Sequence, residues 1–188
     1  MKNLFQAVVR IQKRLNNAQI PSAVIGGLAV AIWGEPRLTR DVDIKVLLGR
    51  DQAQRLLEVL TPDYTFLSPE PEQMLRRTGI LFVQDQAGFR LDLLLADTPF
   101  DVLVIRRAKA VEVQPGLSIV ICTPEDLILY KMISLRPRDR EDVKGIVRRQ
   151  REKLDDDYIV HWLQQFEQAL DDSTLVAEYK RIRYWRRG

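Results

Sequence analysis

The pattern that most restricts the fold of this chain is Val24-Ile25-Gly26-Gly27, a gap of thirteen residues, and then Asp41-Val42-Asp43-Ile44. Residues 23–25 read as a short strand that ends at the two glycines. A helix follows over residues 28–33, stopped by Gly34 and Pro36. Residues 42–48 are apolar almost throughout, as in a strand with both faces largely covered. Residues i and i+2 of a strand point to the same side, so Asp41 and Asp43 project together while Val42 and Ile44 enter a core.

The remaining elements are read from periodicity and punctuation. Leu4, Val8, Ile11 and Leu15 recur at helical spacing and predict an amphipathic helix over 4–17. Residues 50–60 are helical, with Asp51 near the start and Pro62 just past the end. Strands over 80–84 and 89–95 flank Asp85-Gln86-Ala87-Gly88 as a hairpin. A helix over 99–108 precedes strands over 110–113 and 118–121 around Pro115-Gly116. Thr123-Pro124-Glu125-Asp126 combines an N-cap hydroxyl, a proline at the first position and acids in the first turn, so a helix starts there. Beyond it the chain is helical, broken at Arg136-Pro137 and near Lys153-Leu154-Asp155. The expected fold class is α/β (α+β): a mixed sheet flanked by helices over 1–121, with a helical C-terminal part over 122–188 packed on it. With 188 residues the chain has room for one domain of about 150 residues and an extension, or two small ones.

Two carboxylates on one strand face repel each other unless a cation sits between them. Mg²⁺ takes oxygen ligands and is usually held by one or two carboxylates together with substrate phosphates. Asp92, in Leu91-Asp92-Leu93, adds the third carboxylate of a two-metal site if its strand pairs beside the first. Gly26-Gly27 lies where a strand turns into a helix, and missing side chains let backbone N–H groups approach phosphate oxygens at the positive helix end. Taken alone, Asp-x-Asp is more often the pattern of an exposed strand face than of a metal site.

Together these residues resemble the signature of the nucleotidyltransferase fold of the DNA polymerase beta superfamily: a Gly-Gly or Gly-Ser turn, a spacer, an Asp-x-Asp pair and a distant third acid. A closer resemblance is to the toxin nucleotidyltransferases of the AbiEii/MenT type and their small relatives. It is carried by Gly26 to Val30, by Gly34-Glu35-Pro36-Arg37-Leu38-Thr39-Arg40-Asp41-Val42-Asp43, by Pro124 to Leu127 with Lys131, and by Arg136-Pro137-Arg138-Asp139-Arg140-Glu141-Asp142. The resemblance implies Mg²⁺- or Mn²⁺-dependent transfer of a nucleotidyl group from an NTP to an acceptor hydroxyl. Asp41 and Asp43 would hold the metals, and Asp92 would bind the second metal or accept the acceptor's proton. Gly26, Gly27, Arg37 and Thr39 would surround the triphosphate, Lys131 would neutralise its charge, and Arg138 and Asp142 would support the site. RNA, tRNA included, is the favoured acceptor, and an antitoxin partner belongs to the same reading. Alternatives are transfer to a small molecule of the aminoglycoside type or to a protein, and a catalytically silent nucleotide- or RNA-binding module.

Charge bears on the acceptor. The balance is 29 basic against 26 acidic residues, a net +3, too small by itself to define a nucleic-acid binder. Arg supplies 21 of the cations, and its planar fork suits phosphate. Tyr179-Lys180-Arg181-Ile182-Arg183-Tyr184-Trp185-Arg186-Arg187 mixes cations with aromatics, suited to phosphate contact and base stacking or else to a last helix packed on the core. Residues 136–153 carry eight basic and four acidic residues and would equally make an exposed helix laced with ion pairs. Lys131 would equally lie on a solvated helix face, and His161 reads as an ordinary helix residue. The first acidic residue is Glu35, which gives the N-terminus some likeness to an organellar transit peptide; its scarcity of Ser and its continuity with the Gly-Gly turn argue against one. One cysteine, Cys122, fits a buried strand end and a reducing, cytoplasmic compartment. No apolar run is long enough to span a bilayer.

Overall fold

Leu4, Ala7, Val8, Ile11 and Leu15 line one side of the first helix, α1 (Lys2–Asn17), and all are buried. The structure is a computed structural model and describes residues 2–36, 39 and 41–184. After α1 come β1 (Ser22–Ile25), α2 (Gly26–Trp33), β2 (Asp41–Val46), α3 (Ala53–Leu60), β3 (Tyr64–Phe66), α4 (Pro71–Thr78), β4 (Ile80–Asp85), β5 (Arg90–Leu95), α5 (Pro99–Arg107), β6 (Lys109–Gln114) and β7 (Leu117–Ile121). Four helices follow: α6 (Pro124–Met132), α7 (Pro137–Gln150), α8 (Asp156–Leu170) and α9 (Leu175–Arg183). The chain forms two compact units, Met1–Leu28 with Leu38–Cys122, and Ala29–Arg37 with Thr123–Gly188.

The first unit holds one seven-stranded mixed sheet in the order β3-β4-β5-β2-β1-β7-β6. At its centre β2 runs antiparallel to β1 and parallel to β5. Val42, Ile44 and Val46 of β2 are buried on one face, and so are their neighbours Val24, Leu91, Leu93 and Leu95. Each such side chain removed from water stabilises the fold by about 1.5–3 kcal/mol, which pins the register, since a slip of one residue would exchange the faces. On the opposite face Lys45 makes a 2.7 Å ion pair with Asp101 of α5, both side chains largely buried. Asp101 also completes a capping box with Thr98, so the start of α5 is fixed under the middle of the sheet.

The second unit is helical. Thr123 caps α6 by accepting from the Asp126 N–H, and buried Asp126 accepts from the hydroxyls of Thr123 (2.9 Å) and Tyr158 (2.6 Å). Asp156 of α8 accepts from the hydroxyl of buried Tyr179 (2.5 Å) and from Arg183 Nε (2.8 Å), tying α9 to α8. The tail is thus anchored through Tyr179 and Arg183, Lys180 and Arg181 are exposed, and Trp185 to Arg187 lie outside the described residues. Helix α7 buries Asp139, Asp142, Val143, Ile146 and Val147 and is only partly a solvated face. His161 is an exposed helix residue edge-on to Trp162, and Cys122 is buried. Among the described residues no helix is long and apolar enough to cross a membrane.

Two elements and one helix stop leave no mark on the sequence. Strand β3 is three residues long, and α4 buries only Leu75, so neither shows a countable period. The stop between α8 and α9 is made by Asp171 at φ 51°, a left-handed conformation that Asp tolerates better than most residues, without a glycine to announce it.

Candidate active site

Gly26 follows the last residue of β1 at φ 64°, a region that residues with a Cβ avoid. A Cβ at this position would also overlap Oδ2 of Asp43, because Ile25 pairs with Asp43 across the antiparallel β1–β2 ladder. Glycine is therefore needed twice, for the turn and for the Asp43 carboxylate that packs against it. Gly27 continues the first turn of α2, whose leading N–H groups have no partner within the helix.

Asp43 is in register with Asp92 of the parallel strand β5, and Asp41 with Arg90. Directly paired residues project to the same face, so the four side chains form a square of three acids and one base. Asp41 is exposed, Asp43 half-buried and Asp92 8% exposed. Arg90 grips Asp92 with both prongs: Nε donates to Oδ1 at 2.7 Å and Nη2 to Oδ2 at 3.0 Å. The other side of the guanidinium lies over the Phe82 ring, 4.5 Å from its centre. The hydrogen bond to Asp92, with the charges of Asp92, Asp41 and Asp43, holds the Arg90 pKa above its usual value.

Thr39 Oγ1 lies 2.7 Å from the backbone oxygen of Asp41 and 3.4 Å from its Oδ1. Its hydroxyl donates to the carbonyl, so it shapes the strand entry at Asp41. Arg37 lies outside the described residues. Lys131, Arg138 and Asp142 belong to the second unit. There Lys131 bonds Asp139 and stands 3.0 Å from Asp142, with all three side chains largely buried, while Arg138 is exposed.

Carboxylate oxygens are the donors that Mg²⁺ and Mn²⁺ take. Asp41 and Asp43 share a face beside a turn that a Cβ would obstruct, and Asp92 is one strand away, so the donor set suits such an ion. Among the described residues no three acidic, His or Cys side chains are already gathered as a ligand set, and both Asp92 oxygens are on Arg90. The sequence reading missed Arg90. The available signal was Arg90-Leu91-Asp92 itself, since period two puts a cation on the face of the third acid.

No protein-family model matches the sequence, and no curated protein does. Solved structures are similar in fold. An antigenic nucleotidyltransferase-like protein from Paracoccidioides brasiliensis has a TM-score of 0.57 at 15% identity, over 94% of this chain and 92% of that one. The antibiotic-resistance factor ANT(2'')-Ia has a TM-score of 0.57 at 11% identity, over 90% of this chain and 96% of its own. The lincosamide antibiotic adenylyltransferase LnuA, lincomycin-bound, has a TM-score of 0.50 at 14% identity, over 75% and 94%. With its seven-stranded mixed sheet and flanking helices, the chain has the nucleotidyltransferase fold.

Proposed function

We propose that this chain is a metal-dependent nucleotidyltransferase that moves a nucleotidyl group from an NTP to an acceptor hydroxyl. The observation that carries the proposal is the placement of Asp41, Asp43 and Asp92 on one sheet face, with Asp43 packed against the Gly26 turn at the start of α2. Gly26 and Gly27 present backbone N–H groups and the positive helix end to the triphosphate. Asp41 and Asp43 would hold Mg²⁺ or Mn²⁺, which would supply neutralisation of the phosphate charge during transfer. Asp92 is a further ligand or takes the proton of the attacking hydroxyl. Thr39 acts through Asp41, whose backbone it fixes. The charge of Lys131 is met by Asp139 and Asp142, so the triphosphate is assigned to the glycine turn.

RNA, tRNA included, is the proposed acceptor, as in the toxin-like reading with its antitoxin partner. Its support is the exposed cations of the second unit, among them Arg136, Arg138, Lys180 and Arg181. A small-molecule acceptor is the second reading. It is favoured by the likeness to LnuA and to ANT(2'')-Ia, the latter also solved in complex with adenylyl-2''-tobramycin with a TM-score of 0.52 at 13% identity.

The test is incubation with each labelled NTP, Mg²⁺ and either total cellular RNA or a panel of aminoglycosides and lincosamides. Label should pass to RNA, and Asp43→Asn should reduce transfer by about 100-fold or more, the scale of losing a group that stabilises the transition state. Label on the small molecules alone selects the second reading. Nucleotide binding without transfer to either would leave a silent binding module.

A further inference from the structure

Arg90 is out of place in a site meant to bind cations. Its strand position puts the contact within reach, because residues 90 and 92 share a face and Arg90 stands opposite Asp41. Two contacts hold its guanidinium, a two-pronged bond to Asp92 and the Phe82 ring. Paired charges held by two parallel bonds have a defined geometry, and the aromatic face adds attraction for the same cation. Asp92 is the most buried of the three acids, the one for which an unpaired negative charge costs most. Each oxygen of that carboxylate already accepts one bond from Arg90, so an incoming cation must either share the acid with the guanidinium or displace it.

Resting on the metal-dependent reading above, we propose that Arg90 is a positioning residue that occupies Asp92 in the metal-free protein and hands it over when a divalent cation binds. In the free protein the guanidinium neutralises the buried acid and holds it aimed along the strand face. On metal binding Asp92 changes partner. Arg90, still on Phe82 at the edge of the square, becomes a cation free to meet an anionic substrate. The cost of the exchange lowers the affinity of the nucleotide-free protein for metal, and a triphosphate bound at the glycine turn offsets it by giving Arg90 a new partner.

The experiment measures Mn²⁺ binding to the whole, nucleotide-free protein by calorimetry, together with the NMR signal of the Arg90 Nε–H. Arg90→Gln should bind Mn²⁺ about tenfold more tightly than wild type, the effect of about 1.4 kcal/mol of lost competition. Arg90→Lys, which keeps the charge and loses the fork, should fall between them. In an Asp92→Asn background the gain should vanish. In the wild-type protein Mg²⁺ titration should shift the Nε–H signal as its bond to Asp92 breaks. Four results would overturn the exchange: unchanged affinity in Arg90→Gln, an Arg90→Lys variant equal to wild type, a gain that survives Asp92→Asn, or an Nε–H signal that does not respond to saturating Mg²⁺. If instead neither wild type nor any Arg90 variant binds Mn²⁺, with or without NTP, the metal-dependent function itself fails. That outcome is distinct from a metal-binding protein in which Arg90 is inert.

Discussion

Gly26 and Gly88 both have positive φ, yet their substitution should differ, because only Gly26 faces an obstacle. At Gly88 (φ 83°) an added Cβ meets nothing within 4 Å, so Gly88→Ala should cost only the backbone strain, about 1–2 kcal/mol. At Gly26 the same strain is joined by the overlap with Asp43, so Gly26→Ala should lose more stability in urea unfolding and weaken metal and nucleotide binding as well. Equal losses at the two sites would remove the special role given to the Asp43 contact. Asp41→Asn should behave oppositely. Asp41 is exposed, and its repulsion by two other acids is set against its attraction to Arg90, so removing its charge should leave the unfolding midpoint nearly unchanged while nucleotide-dependent Mn²⁺ binding is lost. A destabilised Asp41→Asn protein would mean that the carboxylate holds the fold rather than a ligand.

Helix α5 buries Phe100, Val104 and Ile105 and is tied to β2 by a buried pair, Lys45 with Asp101. Lys45 lies two residues beyond Asp43 on the same face, so the pair marks where the covered part of that face meets the acids. Replacing one partner of a buried pair leaves the other uncompensated, a cost of about 3–5 kcal/mol. Lys45→Met should show a loss near the lower end, since Asp101 keeps the Thr98 N–H, and Mn²⁺ affinity should change because β2 is held from below. Unfolding curves that coincide with wild type would make the pair dispensable. The same element shows why sequence reading works for some segments and not others. Pro99 after Thr98, with Asp101 at the third position, is a local start signal; α4, with a single buried residue, has no comparable stripe.

Across the molecule, acid should act through the helical unit. Burial would raise the Asp139 carboxyl, but the hydrogen bonds from Lys131 and Ser134 and the charges of Lys131 and Arg136 hold it below the ordinary 3.8. Burial likewise opposes ionisation of Asp156, and the bonds from Arg183 and Tyr179 hold it below the same value. A carboxyl depressed on folding contributes stability that is complete above its unfolded pKa and is lost as pH falls through the folded one. The amides of α7 to α9 should therefore lose protection from hydrogen exchange as pH drops below about 4, where unfolded carboxylates begin to bind protons. Asp139→Asn should be less stable than wild type at pH 7 and show a shallower loss between pH 4 and pH 2. A variant whose stability falls as steeply as wild type over that range would rule out Asp139 as a source of the acid sensitivity.

By itself the sequence determined the kinds of most elements, β3 and α4 excepted, and one half of the site. Strand and helix periods are set by backbone geometry between near neighbours, so Asp41 and Asp43 were bound to share a face once residues 41–46 formed a strand, and Gly26-Gly27 was bound to mark a turn. Which strands become neighbours is decided by burial shared among residues far apart in the chain, and no local period encodes it. Only the tertiary structure brought β5 parallel to β2, set Asp92 level with Asp43, placed Arg90 opposite Asp41, and grouped residues 29–37 with the C-terminal helices. That Arg90 and Asp92 share a face is local to β5, whereas their place beside Asp41 and Asp43 is a property of sheet order, set by burying the apolar faces of β1, β2 and β5 together.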